Sequence, residues 1–332
     1  MKELLHTILA AIVAVTMLTA CSSSAPNAAP AAETPVAPAA ETPAASQPIA
    51  IIIPSADHGW MAGVAYFAQQ KVKELGLSEG TGYKLLTSAN VNEQANQIDE
   101  VLGTGVSAVV LLPHNDEVTV AANKITDQGI PLIVFDRKVP NYNAYVAGDN
   151  KGIGTETAKY LGEKLNGEGT IAVMNTPSVG SVSTERVDGF KEVMTAQYPN
   201  IKLIDVTSAG FTQEDGLKMA TDMLVANEQL DAVFSIDDEP SLGILQAIHD
   251  AGRTDIKYIT GGGGAQPWFT KIQSETGISL LTATYSPAMI GDAVQVANDI
   301  VSGKNPESET IITPTIVTKD NVGSFLDAGS PY

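Results

Sequence analysis

The chain has 332 residues, 44% of them hydrophobic and 17% charged, which suits a globular protein with core enough for two lobes. Its 38 acidic residues outnumber 19 basic ones for a formal charge of −19, so the clustered Lys and Arg that a phosphate backbone demands are missing and no nucleic-acid partner is expected. A single cysteine, Cys21, and four scattered histidines (His6, His58, His114, His249) argue against a disulfide framework and against a metal cluster, and no cofactor motif is present.

Lys2 precedes an apolar stretch over 4–20 that is too short, and too abruptly ended by Cys-Ser-Ser-Ser, for a membrane-spanning helix; it predicts a signal peptide over 1–20. The ending Leu18-Thr-Ala-Cys21 resembles the lipobox of bacterial lipoproteins, which implies cleavage before Cys21 and lipidation of its thiol. An ordinary signal peptide that happens to hold a cysteine is the alternative. Cleavage removes Lys2 and Glu3 together, so the charge stays at −19. After Cys21, residues 22–48 are almost entirely Ala, Pro, Ser, Thr and Glu, with no apolar surface to offset ordering entropy, and predict a disordered spacer.

From residue 49 the pattern changes to short apolar runs, each followed by an amphipathic stretch. Runs over 49–54, 83–88, 108–113 and 131–136 predict strands buried on both faces, separated by helices near 60–75, 93–102 and 116–128. Gly76 and Gly129 suit left-handed helix ends. A second series predicts strands near 170–175, 202–208, 232–237 and 257–261 with helices near 152–166, 183–197, 213–227 and 239–251. The fold class is therefore α/β with two doubly wound parallel-sheet lobes. Runs ending Pro113-His-Asn-Asp-Glu117 and Ile236-Asp-Asp-Glu239 put polar residues just past a buried strand, the edge where open α/β sheets bind ligands.

Four segments, Ile51-Ile-Ile-Pro-Ser-Ala-Asp-His-Gly-Trp60, Val134-Phe-Asp-Arg137, Thr184-Glu-Arg-Val-Asp-Gly-Phe190 and Val233-Phe-Ser-Ile-Asp-Asp-Glu239, together resemble the ribose/galactose type of periplasmic sugar-binding protein, a type I solute-binding protein of ABC importers. The resemblance spans 49–332 and lies in the order of the segments. It implies a hinge of three crossings near 148–150, 284–286 and 313–315, with one lobe of 49–149 plus 286–313 and another of 150–285 plus 314–332. Lac-repressor-type effector domains share this fold behind a DNA-binding helix-turn-helix, a place taken here by lipobox and spacer.

The same resemblance implies the site. Asp136 and Arg137, at a strand end, match the family's sugar-holding pair, and carboxylate and guanidinium make the stronger, charge-assisted hydrogen bonds; a loop-closing salt bridge is the plainer reading. Arg186 matches the second lobe's arginine, with an exposed helix arginine as the alternative. Trp60 and Phe211 fall where rings lie against the sugar, though a Phe at a strand end is usually core. Asp57 and His58 precede Trp60 on the same loop. Asp237 stands where ribose binders carry Asn, Tyr285 replaces a common Gln at the second hinge, and Gly261-Gly-Gly-Gly-Ala-Gln266 lacks the usual acidic residue, leaving Gln266 as a substitute contact. The implied ligand is a neutral monosaccharide, pentose, hexose or polyol. The implied partners are permease subunits and the membrane through a lipid anchor, and the implied state is an exported monomer. A receptor for chemotaxis or signalling fits the same pattern. A glycosidase fits worse, because nothing in the sequence sets one carboxyl in an apolar and another in a polar setting.

Overall fold

An unbroken β-branched run satisfies its backbone most simply by pairing along both edges, and Ile49–Pro54 does so as β1, with every residue buried. The structure, a computed structural model, describes residues 47–56 and 58–332. The readings made of the signal peptide, of Cys21, of spacer residues up to 46 and of Asp57 lie outside the described residues.

The chain continues through α1 (Gly59–Glu74), β2 (Tyr83–Ser88), α2 (Val91–Thr104), β3 (Ala108–Leu111), α3 (Thr119–Asp127), β4 (Leu132–Phe135) and β5 (Ala144–Gly148). After α4 (Asn150–Lys164) come β6 (Gly169–Asn175), α5 (Ser181–Gln197), β7 (Ile201–Thr207), α6 (Gln213–Ala226), β8 (Ala232–Phe234), α7 (Asp238–Asp250) and β9 (Tyr258–Ile259). The rest is β10 (Gly262–Gly263), α8 (Gln266–Ser274), β11 (Ser279–Leu280), β12 (Thr282–Thr284), α9 (Ile290–Val301), β13 (Glu309–Ile312) and β14 (Ile316–Val317).

Two parallel sheets carry the two lobes. The first has the order β13-β5-β4-β3-β1-β2 and the second β11-β9-β8-β6-β7. The period of two along β1 divides the first lobe's core: Ile49, Ile51 and Ile53 pack with α1 and α9 residues, and Ala50 and Ile52 with α2 and α3 residues. Each fully buried isoleucine contributes about 1.5–3 kcal/mol. A small sheet, β10-β12-β14, pairs β12 parallel to β10 and antiparallel to β14.

In the second lobe two helix pairs cross almost backbone to backbone. A Cβ at Gly154 of α4 would collide with the Arg186 carbonyl of α5, and one at Gly243 of α7 with the Gln213 carbonyl of α6. Helix α4 begins earlier than its apolar spacing suggests because Asp149 caps it, its carboxylate accepting from Gly152 N–H at 2.7 Å. Strand β5 and most elements beyond 261 were not anticipated from local pattern.

Candidate functional site

The strand ends of both lobes converge on a cavity of about 500 Å³. Its lining includes His58, Trp60, Asp136, Arg137, Arg186, Phe211, Asp237 and Tyr285, so eight of the ten ligand-site residues expected from sequence meet there. Asp57 lies outside the described residues, and Gln266 is elsewhere.

From the first lobe, the loop after β1 delivers His58 and Trp60. Trp60 sits in the first turn of α1, lies parallel to Phe135 (centroids 6.1 Å apart, planes at 4°) and donates from Nε1 to the Tyr285 carbonyl at 2.9 Å. Asp136 follows β4 at a φ of 62°, a left-handed backbone that short polar side chains tolerate best. That kink is held from three directions. Its N–H donates to Val146 O at 2.9 Å, its carbonyl accepts from the Tyr145 hydroxyl at 2.7 Å, and its carboxylate accepts from the Tyr285 hydroxyl at 2.5 Å. Burial pushes the Asp136 carboxyl up, against the pull of the Tyr285 hydrogen bond and of Arg137 and Arg186. Arg137 is exposed and donates to the His114 carbonyl, so its guanidinium is partly engaged in holding a neighbouring loop.

From the second lobe come Arg186, Asp237 and Phe211. Arg186 is only 4% exposed, a buried arginine and not a solvated helix one. It donates to Asn150 Oδ1 at 2.9 Å and to Ile236 O at 2.7 Å, and its guanidinium lies 5.2 Å from the Tyr285 ring centroid. Asp237 caps α7 by accepting from Glu239 N–H at 3.0 Å and lies 3.8 Å from Arg186. Burial raises its carboxyl to about 7 in spite of that arginine, with Asp238 adding to the rise. Phe211, in the loop after β7, meets His58 edge to face at 5.9 Å, which brings the two banks together at the mouth.

Gln266 departs from expectation. It opens α8, and its amide bridges Phe325 O at 3.0 Å and Asp327 N–H at 2.9 Å, so it secures a distant segment and does not line the cavity. Two residues that sequence reasoning missed stand nearby. Asp238 is fully buried and accepts from Gly264 N–H, Ala265 N–H and the Thr282 hydroxyl at 2.6–2.7 Å, tying α7 to the glycine run. Tyr332 lines the cavity at 6% exposure. Asp238 has a local signal, a second acidic residue at the start of α7; Tyr332 has none.

A cavity of this size lies within the range of small-molecule sites, about 300–1,000 Å³. Carboxylates that accept, an arginine that donates and flat rings beside them suit a polyhydroxylated, uncharged molecule: the polar groups take hydroxyls while the rings cover C–H faces. Among the described residues no group of three or more His, Cys, Asp or Glu is arranged to hold a metal ion.

A family model for the periplasmic binding protein domain matches residues 49–305. The chain is 28% identical over 248 residues to a xylitol-binding protein of Mycolicibacterium smegmatis, covering 72% of this chain and 70% of the relative. It is 27% identical over 229 residues to a ribose import binding protein of Bacillus subtilis, covering 67% and 72%. A periplasmic solute binding protein of an ABC transporter from Actinobacillus succinogenes, solved with bound D-allose, superposes with a TM-score of 0.74 at 19% identity, covering 84% of this chain and 100% of that one; this is a likeness of fold.

Proposed function

The chain belongs to the periplasmic binding protein domain family, and from that premise we propose that it is the extracytoplasmic capture component of a carbohydrate ABC importer, closing two lobes on a neutral monosaccharide or polyol. The observation that carries this reading is the convergence of Trp60 and Asp136 from one lobe with Arg186, Asp237 and Phe211 from the other on a single 500 Å³ cavity. Neutrality follows from the charge balance. Asp136, Asp237 and Glu239 line the cavity against Arg186 and an Arg137 already engaged with a carbonyl, and burial already raises the first two carboxyls against ionising, so a further negative charge from an acidic sugar is unfavourable there. Relatives named for xylitol and ribose, and a fold neighbour holding D-allose, support that ligand class.

In this reading residues 49–149 with 286–313 and residues 150–285 with 314–332 move as two bodies about their crossings, and the closed form is what the permease engages. Cys21 carries the lipid after removal of 1–20, and the spacer up to residue 48 holds a monomeric receptor off the membrane. In this reading the protein binds without turnover, which the membership in a family of binding proteins supports.

Isothermal calorimetry of residues 45–332 against pentoses, hexoses, polyols and their uronic acids tests the reading. Saturable binding of at least one neutral member, with compaction in small-angle scattering and no release from nitrophenyl glycosides, is the expected result. Binding of none, or preference for a uronic acid over its neutral parent, refutes it.

A further inference from the structure

Tyr332 is one of the few residues that line two cavities. Besides the 500 Å³ cavity it borders a smaller one of about 260 Å³, whose walls include Thr284, Ser286, Gln266 and Phe325. The second space thus lies beside the 284–286 segment, and Tyr332 and Gly263 line both it and the cleft.

The surroundings of Tyr332 are built to receive it. A Cβ at Gly263 would collide with the Tyr332 hydroxyl, one at Gly63 would come within 3.1 Å of its Cβ, and one at Gly59 within 3.3 Å of its ring. Gly59 and Gly63 belong to α1 and Gly263 to β10, so the socket draws on a first-lobe helix and on the small sheet together. The segment that carries the ring is secured at several points. The Gln266 amide holds residues 325 and 327, Phe325 packs on Phe269 at 5.8 Å, Gly329 N–H donates to Asp327 Oδ1 at 2.8 Å, and the Ser330 hydroxyl donates to Tyr332 O at 2.7 Å. The hydroxyl at the end of this held ring makes no hydrogen bond among the described residues, and it lies in the combined field of Asp237, Asp238 and Arg186. Burial and the carboxyls of Asp237, Asp238 and Glu239 raise its pKa well above the ordinary tyrosine value, so it remains a donor as well as an acceptor.

We propose that Tyr332 is a ligand-contacting, specificity-determining residue: its ring walls the cleft off from the space beside the 284–286 segment and so limits the occupant to one sugar ring or one short polyol, while its hydroxyl hydrogen-bonds that occupant. This assigns a physical reason to Gly263, where a Cβ would occupy the place of the Tyr332 hydroxyl, whereas Gly261, Gly262 and Gly264 make room for Asp238, Ile236 O and Phe269. The inference rests on the capture reading given above.

The test is calorimetry on the wild type, Tyr332→Phe and Tyr332→Ala with D-ribose, D-xylose, D-galactose, D-allose, xylitol and myo-inositol, then with methyl glycosides, maltose and sucrose, each variant checked by thermal melting. Tyr332→Phe keeps the ring and loses one neutral hydrogen bond, so the best wild-type ligand should bind about 3- to 10-fold more weakly at an unchanged melting temperature. Tyr332→Ala joins the two spaces, so the ratio of affinities for the larger compounds over the parent sugar should rise at least about tenfold. Should the alanine variant fail to fold, Tyr332→Phe decides alone. If the wild type binds none of the compounds, the capture reading fails and this inference with it. If the wild type binds but Tyr332→Phe keeps its affinities within about twofold, the inference alone is overturned; so too if a folded Tyr332→Ala keeps the wild-type size preference.

Discussion

Replacing Arg186 by alanine tests how the second-lobe half of the cleft is held. One buried acceptor, Ile236 O, and one half-buried acceptor, Asn150 Oδ1, lose their donor, at up to about 1–3 kcal/mol each, and water entering the vacated space recovers part of it. The expected destabilisation is about 2–5 kcal/mol, a fall in Tm of roughly 3–9 °C for a chain of this size. The pH profile gives a second signature. The folded chain holds the Asp237 proton up to about pH 7, against an ordinary carboxyl value of 3.8, so this group's contribution to stability is fully present below pH 3.8 and is lost as pH rises through about 7. Arg186 opposes that rise in pKa; without it the proton is held more tightly and the decline runs on above pH 7. Melting followed by circular dichroism from pH 5 to 9 should show Arg186→Ala falling between pH 7 and 8.5 relative to the wild type, and adding Asp237→Asn should remove that extra slope. A Tm within about 2 °C of wild type, together with an unshifted pH profile, would refute the reasoning.

Two further outcomes follow from packing and from the rings. Gly154→Ala, whose Cβ would meet α5 backbone, should cost at least about 1–3 kcal/mol in chemical denaturation, whereas Gly103→Ala, which meets nothing within 4 Å in α2, should be neutral or stabilising by up to about 1 kcal/mol. Ligand-induced change in tryptophan emission should vanish in Trp60→Phe and persist in Trp268→Phe, because Trp268 is fully buried away from the cleft with its Nε1 donating to Leu281 O at 3.1 Å; persistence in the first variant would move the ligand away from Trp60.

Local pattern was enough for the regular parts of both sheets. Ile49–Pro54 and Tyr83–Ser88 are bounded β-branched or apolar runs, and they stand as strands over those same residues. Ala144–Gly148 escaped because its five residues, ending in glycine, alternate too briefly to stand out, and β10, β12 and β14 are only two or three residues long. Helix α9 carried a readable stripe in Ile290, Ala293, Val294 and Ala297, but it lies past the point where strand and helix alternate cleanly. The residues expected from the family resemblance line the cavity where they follow a predictable strand end, as Trp60, Asp136 and Asp237 do. Gln266 misled because it follows a strand end too, yet its partners are residues 325 and 327, a pairing that no local spacing encodes. Tyr332 reaches the cleft by that same remote segment, and its ring at the end of a Gly-Ser-Pro stretch carries no periodic signal.

Tyr285, at the crossing, ties first-lobe groups to the second lobe: its hydroxyl holds Asp136, its carbonyl holds Trp60, and its own N–H donates to Gly263 O of β10 at 2.7 Å. Arg186 is equally pinned on the other bank, so under the proposed capture reading the polar groups of the cleft are already fixed in place before an occupant is held between them. Encounter rates should then be nearly the same for all sugars small enough to enter. Differences in affinity among them should reside in how fast each one leaves, a distinction that stopped-flow fluorescence resolves where equilibrium titration does not.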